Sequence, residues 1–362
     1  MASSDQQRFY KNLEIILTEL PWYVEEFIDN KRRTLSAASL LNYCHDFKIF
    51  FTWLITEGFH SGPINDIPLT VLEKLTRQQI ETFLSFLRHQ LHNKDLTVNR
   101  KLSALKSLFN YLQNIAETDD LEPYINRNVM AKVEFNNVAE DPQTTANRME
   151  GKILMGDEYE QFRAFVAEGY GESVKDDKKK MNFYQFNRER DTSIISLFLG
   201  SGLRLSELVS LDLGDIDFKK FNARVIRKGN KEQYVYFSEQ AALDLQDYIR
   251  IRLDRYKVEK NNKALFLSAP MGPKGTSRRL TARGIEKLVE KYAVAFGKPS
   301  LSVHKLRHSF ATRYHAEIND VPKLRRQLGH SSIQTTMIYT HIQNDDLKNA
   351  MNKLDMLKEN DN

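Results

Sequence analysis

The sequence has one cysteine, two tryptophans and no long apolar run. With only Cys44 the chain cannot form an internal disulfide, which fits a reducing cytoplasm. No stretch approaches the roughly 20 apolar residues of a membrane helix. The polar start, MASSDQQRFYKN, does not resemble a secretory signal. We therefore expect a cytoplasmic protein that has no membrane partner.

Glycine and proline are also sparse, with 15 and 9 among 362 residues, which excludes collagen-like and low-complexity chains. A chain of this length predicts two domains. Residues 1–150 carry 16 Lys and Arg against 20 Asp and Glu, a balance of −4, whereas residues 151–362 carry 37 against 28, or +9. A basic second half is typical of a protein that binds a polyanion. The acidic first half would need one basic face to contact DNA.

The first 135 residues have the apolar spacing of a small helical bundle. Thr76 and Gln79 form the pattern of a capping box at the start of one helix. In the segment VNRKLSALKSLFNYL the leucines face one way, whereas three basic residues, Arg100, Lys101 and Lys106, lie elsewhere on the helix. They either contact DNA phosphate or simply form a solvated face. The spacing leaves both interpretations open.

Polar segments divide the rest of the chain. Residues 136–150 contain Pro142 and no apolar periodicity, which predicts a linker. Residues 151–345 then form a second domain, and 346–362 form a tail with roughly helical apolar spacing. A polar, lysine-rich insert at 168–180 predicts a mobile loop.

The second domain is predicted to be mainly helical with one β-hairpin. Apolar residues alternate on both sides of Lys228-Gly229-Asn230-Lys231, the pattern of two strands around a turn. Ser238 and Ser302 each precede a helical stretch as a cap. Pro322 opens a further helix that Gly329 closes. The expected fold class is therefore mainly α, with a small β-hairpin or sheet in the second domain.

Arg204 is the first candidate for chemistry, in the segment FLGSGLRLSELVSL. The flanking Gly200 and Gly202 allow an abrupt turn of the backbone. The planar guanidinium can hold two phosphate oxygens at once and stays charged at any working pH. An ion pair with Glu207, one helical turn later, explains the same residue without any ligand.

A second candidate pair is His304 and Arg307. Their i, i+3 spacing puts both on one side of a helix. Arg307 would supply another phosphate contact, and His304 a group that shares protons near neutral pH. His304 and His308 also have the i, i+4 spacing of a zinc pair. A lysine and an arginine, with no glutamate, lie between them, which disfavours a metal.

Three more candidates are weak individually. His330 follows Gly329, where a histidine often caps a helix or lies on the surface. Tyr339, in TTMIYTH, has the spacing of half-buried packing. Lys228, at the hairpin turn, is typical of a soluble loop. Their order along the chain is more specific than any one of them.

The segments SGLRLSEL, HKLRHSFAT and LGHSSIQTTMIYTH closely resemble the motifs of the tyrosine recombinase, or phage integrase, family. The likeness spans about 155–345, and the first domain resembles the helical core-binding domain of that family more loosely. Within the family the last motif is most similar to Xer-type recombinases, and the chain length is similar to the single-recombinase systems of Gram-positive cocci. The resemblance places six residues at catalytic positions: Arg204, Lys228, His304, Arg307, His330 and Tyr339.

The resemblance implies DNA cleavage without a metal or any other cofactor. Tyr339 would attack a phosphodiester to leave a 3′-phosphotyrosyl link and a free 5′-hydroxyl. Arg204 and Arg307, helped by His330, would stabilise the charge that develops on the phosphate oxygens. The phenol, with an ordinary pKa near ~10, needs activation at neutral pH.

Proton transfer would fall to two other residues. His304 would accept or hold the tyrosine proton, and Lys228 would donate a proton to the leaving 5′-oxygen.

The implied partners are duplex DNA, held by the two domains as a clamp, and three further copies of the chain in a tetramer on two DNA sites. The tail would dock on a neighbouring copy or fold back on its own domain. The implied function is chromosome dimer resolution at a dif-like site, with a septal DNA translocase as the regulator. A mobile-element integrase, a type IB topoisomerase and a non-catalytic DNA-binding relative are the alternatives.

Overall fold

The computed structural model describes residues 4–138, 144, 149, 151–227, 231–270, 272, 275–330 and 332–341. Its contacts divide the chain into two compact units, 1–139 and 140–362. Each unit has its own apolar core and is described separately. Within the described ranges, no helix is both long and apolar enough to cross a membrane.

The first unit is helical. Its described residues form six α-helices: α1 Ser4–Leu17, α2 Trp22–Lys31, α3 Ala37–Thr56, α4 Leu69–Lys74, α5 Arg77–His89 and α6 Asp95–Asn114. Short 3₁₀ turns occur at Ile64–Asp66 and Val129–Lys132. The predicted capping box is confirmed, because the Thr76 hydroxyl accepts from the Gln79 amide while the Gln79 side chain accepts from the Thr76 amide. Edge-to-face aromatic pairs fill the core, with Phe50 against both Phe83 and Phe109.

The basic residues of α6 already have partners inside this unit. Lys101 is 6% exposed, and its ammonium donates to Asp46 Oδ1 at 2.9 Å. Lys106 donates to the Met130 carbonyl oxygen at 2.7 Å. Arg100 also pairs with Asp46, yet its side chain is 49% exposed. A phosphate contact therefore stays a prediction for Arg100, whose side chain is exposed. The ammonium groups of Lys101 and Lys106 already bind oxygen atoms within the unit.

Replacing Asp46 with asparagine should destabilise the first unit strongly. Asp46 is 2% exposed and is the anion that balances the buried Lys101 ammonium. Removing one partner of a buried ion pair leaves an uncompensated charge, at a cost of about 3–5 kcal/mol. Urea unfolding followed by tryptophan fluorescence measures this unit alone, because both tryptophans, Trp22 and Trp53, lie in it.

Asp95→Asn is the matched control, because Asp95 forms an exposed pair with Arg88. Exposed pairs contribute at most about 1 kcal/mol. Equal losses in the two variants would show that the Asp46 network does not stabilise the fold.

The second unit has nine described α-helices and one small sheet. The helices are α7 Glu158–Ala164, α8 Tyr170–Ser173, α9 Lys178–Ser201, α10 Leu205–Ser210, α11 Glu239–Arg255, α12 Ala282–Ala295, α13 Val303–Ile318, α14 Val321–Leu328 and α15 Gln334–Met337. A π-helical turn, Phe165–Gly169, joins α7 to α8, and 3₁₀ turns occur at Leu213–Asp215 and Ile338–His341. The long helix α9 lies at the centre and packs against α11 and α13.

The predicted caps and hairpin are confirmed. Ser238 accepts from the Ala241 amide and Ser302 from the Lys305 amide. Pro322 lies in the first turn of α14, which ends at Gly329 in the left-handed conformation.

The sheet has the antiparallel order β1 Ile216–Asp217, β2 Asn222–Arg227 and β3 Lys231–Tyr236. Arg227 pairs with Lys231 at the end of the hairpin. The hairpin was predicted, whereas β1 was not, because two residues are too few to show any alternation.

The insert at 168–180 differs from its prediction as a loop. Most of it is helical: it contains the end of the π turn, all of α8 and the first turn of α9. Tyr170 and Val174 are buried in the core of this unit, and the Asp177 carboxylate caps α9 by accepting from the Lys179 and Lys180 amides. The prediction of a loop rested on the lysine run and overlooked the buried Tyr170 and the helix cap at Asp177. Met149, at the end of the predicted linker, is also buried in the second unit.

Candidate active site

The site begins where α9 ends. Gly202 adopts φ +67°, and the chain reverses into α10 with Arg204 immediately before its first residue. The Arg204 guanidinium donates to Glu207 Oε1 and to the Gly329 carbonyl oxygen, each at 2.8 Å. The ion pair that offered the simpler explanation of Arg204 is therefore present. It orients a guanidinium whose side chain is still 37% exposed.

Glu207 holds two arginines together. It is buried, and its Oε1 also accepts from Arg227 Nε at 2.9 Å. Burial alone would raise the pKa of the Glu207 carboxyl, but the Arg204 amide and the Arg227 and Arg204 guanidinium groups outweigh it and lower that pKa. The remaining Arg227 donors reach the Gln327 carbonyl oxygen at 2.9 Å and Gln233 Oε1 at 2.6 Å. Arg227 thus links the turn end of the hairpin to the end of α14.

Arg307, on α13, is almost fully buried at 4% exposure. One guanidinium nitrogen donates to the Gly202 carbonyl oxygen, and the other donates to the Leu328 carbonyl oxygen at 2.7 Å. Burial and the neighbouring Arg204 guanidinium lower the pKa of Arg307 to about 10, so it remains charged at neutral pH. Two backbone carbonyls from separate turns therefore fix this cation in place.

Replacing Gly202 with alanine should destabilise the second unit. The left-handed backbone costs an ordinary residue about 1–2 kcal/mol. A Cβ here would also overlap Phe310 and approach Leu328 Cδ2 at 2.9 Å. Such overpacking adds about 1–3 kcal/mol. We expect a lower thermal midpoint by far-ultraviolet circular dichroism, with the tryptophan signal of the first unit unchanged.

Gly297→Ala separates the two contributions. Gly297 adopts φ +87°, but a Cβ there would meet nothing within 4 Å. It therefore tests the backbone cost alone. If both alanine variants lose the same stability, the packing around Gly202 is not tight.

Two histidines connect the open surface of α13 to a buried tyrosine. His304 Nε2 lies 2.8 Å from His308 Nε2, and His308 Nδ1 lies 2.8 Å from the Tyr339 hydroxyl. Tyr339 is 2% exposed, in an apolar cluster with Leu324 and Leu328. Burial raises the pKa of Tyr339 to about 12, despite the opposing Arg307 guanidinium, so its phenol is protonated at neutral pH.

His330 lies immediately after the left-handed Gly329. Its Nδ1 is 3.0 Å from the Thr336 hydroxyl. Burial, and then the charges of Arg307 and Arg204, lower the pKa of His330 to about 4. The ring is therefore neutral at physiological pH, with one N–H to donate.

Several of these side chains, but not His308 or Tyr339, line two adjoining open pockets. The first, here called the Arg307 pocket, has a volume of about 920 Å³ and is lined by Arg204, His304, Arg307 and His330, among others. The second, the hairpin pocket, has about 1040 Å³ and shares Arg204 and His330 with it. Five cationic residues and one acidic residue, the paired Glu207, line the hairpin pocket: Arg204, Arg227, Lys231, Arg325 and Arg326. The excess of cationic side chains suits the hairpin pocket to an anion, whereas the lining of the Arg307 pocket also includes Glu286 and Glu290.

The structure brings five of the six predicted residues into this one region. The sixth, Lys228, follows Arg227 in the sequence and lies outside the described residues. Arg227 itself was missed, because a basic residue at a strand end carries no specific signal. His308 was considered only as half of a zinc pair, and the spacing that suggested a metal also places its ring between His304 and Tyr339.

Comparisons with known proteins identify the family. The model described as the Phage integrase family matches residues 174–345, and the model for the N-terminal SAM-like domain of phage integrases matches residues 24–114. Tyrosine recombinase XerS of Streptococcus gordonii is 38% identical over 355 residues, covering 95% of this chain and 98% of the relative. XerS of Streptococcus pneumoniae is 38% identical over 346 residues, covering 92% and 96%.

Solved structures share the fold. The XerH site-specific recombinase bound to its difH substrate before cleavage has a TM-score of 0.60 at 21% identity, covering 88% of this chain and 81% of that one. A λ integrase dimer bound to a core site has a TM-score of 0.53 at 15% identity, covering 89% and 77%. The chain therefore belongs to the phage integrase family, and within it the protein is a Xer-type tyrosine recombinase, a DNA recombinase enzyme.

Proposed function

We propose that this recombinase cuts and rejoins duplex DNA through a covalent bond between Tyr339 and a 3′-phosphate. The observation that supports this best is the convergence of Arg204, Arg307, His304 and His330 on one pocket, with the Tyr339 hydroxyl joined to that set by hydrogen bonds. Those four side chains come from three separate parts of the chain. A protein that only binds DNA has no use for a phenol in this position.

In the proposed reaction a Tyr339 oxygen–phosphorus bond forms as the bond from phosphorus to the 5′-oxygen breaks. Arg204 and Arg307 stabilise the negative charge on the two nonbridging oxygens. The N–H of the neutral His330 ring donates to the same oxygens. Lys228 gives a proton to the departing 5′-oxygen, which leaves as a hydroxyl. Reversal with a different 5′-hydroxyl rejoins the strands, so the phosphoester energy is retained.

DNA backbone binding accounts for the cationic lining of the hairpin pocket. The phosphate contacts that these residues make would supply most of the affinity, and binding would weaken steeply with salt. Arg100, exposed on α6, is the proposed phosphate contact from the first unit. Two units that each contact the same duplex would act as a clamp.

We further propose that the target is a dif-like site and that the function is chromosome dimer resolution. The streptococcal relatives are named XerS, and the similar XerH structure contains a difH substrate. Recombination between two sites implies four copies of the chain on two duplexes. A septal DNA translocase is the proposed regulator.

A nicked suicide duplex that carries a dif-like sequence tests the chemistry. The 5′-hydroxyl fragment diffuses away after cleavage, so the covalent product accumulates. We expect a protein–DNA adduct in EDTA on the dif-like duplex and none on a shuffled duplex of equal composition. Adduct on both would favour a topoisomerase, and tight binding without adduct would favour a non-catalytic relative.

Footprinting on the chromosomal dif region separates the biological roles. Protection of a dif-like sequence supports dimer resolution. Protection confined to the ends of a mobile element would replace that role with integration of the element.

A further inference from the structure

His304, His308 and Tyr339 form a continuous hydrogen-bonded chain that runs from the Arg307 pocket into the protein. The two contacts are both 2.8 Å and involve both ring nitrogens of His308. Of these three residues, only His304 lines the pocket. The proposed nucleophile, Tyr339, is therefore joined to the proposed proton acceptor, His304, through His308.

His308 has the chemistry of a proton conductor. Burial, and then the neighbouring His304, lower the pKa of His308 to about 3, so the ring is neutral at physiological pH. A neutral imidazole has one N–H and one lone pair. If Nδ1 accepts from the tyrosine hydroxyl, Nε2 must donate to His304. If the first hydrogen bond reverses, the second must reverse with it.

We propose that His308 is a further catalytic residue, which passes the Tyr339 proton to His304 as the phenolic oxygen attacks phosphorus. The inference rests on the function proposed above. The hydroxyl proton moves to His308 Nδ1, and the proton on His308 Nε2 moves to His304 Nε2. The Tyr339 oxygen forms its bond to phosphorus, and His304 ends as an imidazolium.

The surrounding charges link this transfer to the presence of DNA. Burial and the cations Arg307, Lys305 and Arg204 lower the pKa of His304, which disfavours the imidazolium unless an anion lies beside it. A phosphate between the two arginines supplies negative charge beside His304. The proton then has a favourable destination only when substrate is bound. Tyr339 stays protonated at other times.

The test pairs His308→Asn with His308→Gln. An asparagine amide reaches the position of Nδ1 and a glutamine amide that of Nε2, so each keeps one hydrogen bond but neither passes a proton. Single-turnover adduct formation on the nicked dif-like duplex should fall by about 10²–10⁴-fold in both, the usual range for general acid–base catalysis. Gel-shift affinity should match the wild type, and the thermal midpoint should fall by no more than the loss of one hydrogen bond explains.

A substrate whose leaving 5′-oxygen is replaced by sulfur distinguishes a defect at the nucleophile from a defect at the leaving group. A thiolate leaves without a proton, so this substrate should not restore the His308 variants, whose defect lies on the nucleophile side. Restored cleavage would assign His308 to the leaving group and overturn the relay. A wild-type rate in His308→Asn on the ordinary substrate would also overturn it, because positioning of the hydroxyl alone would then suffice.

Wild-type protein provides a measurement that does not depend on how the variants fold. On the sulfur substrate, the relay moves two protons in one step. A plot of the cleavage rate against the fraction of D₂O should therefore bow below a straight line. A straight line means one proton in motion and overturns the relay. Different results would contradict the proposed function itself: wild-type protein that forms no adduct, or an adduct that still forms in Tyr339→Phe.

Discussion

Replacing Tyr339 with phenylalanine is expected to reduce the covalent protein–DNA adduct to the detection limit while DNA binding persists. The change removes one oxygen, the atom proposed to attack phosphorus, and keeps the ring in its apolar cluster with Leu324 and Leu328. Only the hydrogen bond to His308 is lost from the described contacts, at a cost of about 1 kcal/mol. Adduct formation on the nicked duplex and affinity by gel shift are the two measurements.

Tyr314→Phe is the control for this substitution. Tyr314 packs against the same apolar cluster but has no described contact to the two histidines. Its adduct yield should equal that of the wild type. A normal adduct in Tyr339→Phe would mean that a different residue attacks phosphorus and would remove the basis of the proposed chemistry.

Local chemistry explains which parts of the fold were predictable. Thr76, Ser238 and Ser302 each accept from an amide three residues away, so the sequence alone contains both partners of each cap. The hairpin strands are separated by a few residues and carry their own alternation. The helical segments of both units follow from periodicity in the same way.

Contacts between distant segments explain what was not predictable. Arg204 reaches the Gly329 carbonyl oxygen, and Arg307 reaches those of Gly202 and Leu328. No periodicity connects such positions, and resemblance to a family placed them together instead. Resemblance in turn gave no reason to single out Arg227 or His308. Their roles became visible only through their side-chain contacts in the folded unit.

Some charged residues that the sequence assigned to binding or to a loop have structural roles in the folded chain. Lys101 was a candidate for DNA because it lies on a helix with other basic residues, yet it is buried against Asp46. Asp46 is 55 positions away and gave no sign of this pairing. In the second unit the lysines at 178–180 begin a helix, where a loop was expected. The distribution of charge along the sequence therefore showed which half of the chain is basic, but it did not predict the contacts of individual charged residues.

Replacing Arg307 with lysine is expected to reduce DNA cleavage by at least about 10²–10³-fold, the usual loss when one donor to a developing oxyanion is removed. Arginine holds the Gly202 and Leu328 carbonyl oxygens through two nitrogens of a rigid plane and still presents its charge beside the pocket. A lysine ammonium keeps the charge but lacks the fork, so it cannot reproduce this geometry. Affinity for DNA should change little, because the number of positive charges is the same. Single-turnover cleavage and gel shift at one salt concentration separate these effects.

Arg224→Lys provides the matched comparison, since Arg224 is an exposed arginine on β2 that pairs with Asp215 at 2.6 Å. It should cleave at the wild-type rate. The thermal midpoint of Arg307→Lys should fall, because one buried carbonyl loses its donor at a cost of about 1–3 kcal/mol. Assays well below that midpoint then measure chemistry alone. A folded Arg307→Lys protein that cleaves normally would mean that positive charge is sufficient at this position, and the two carbonyl contacts would then serve stability alone.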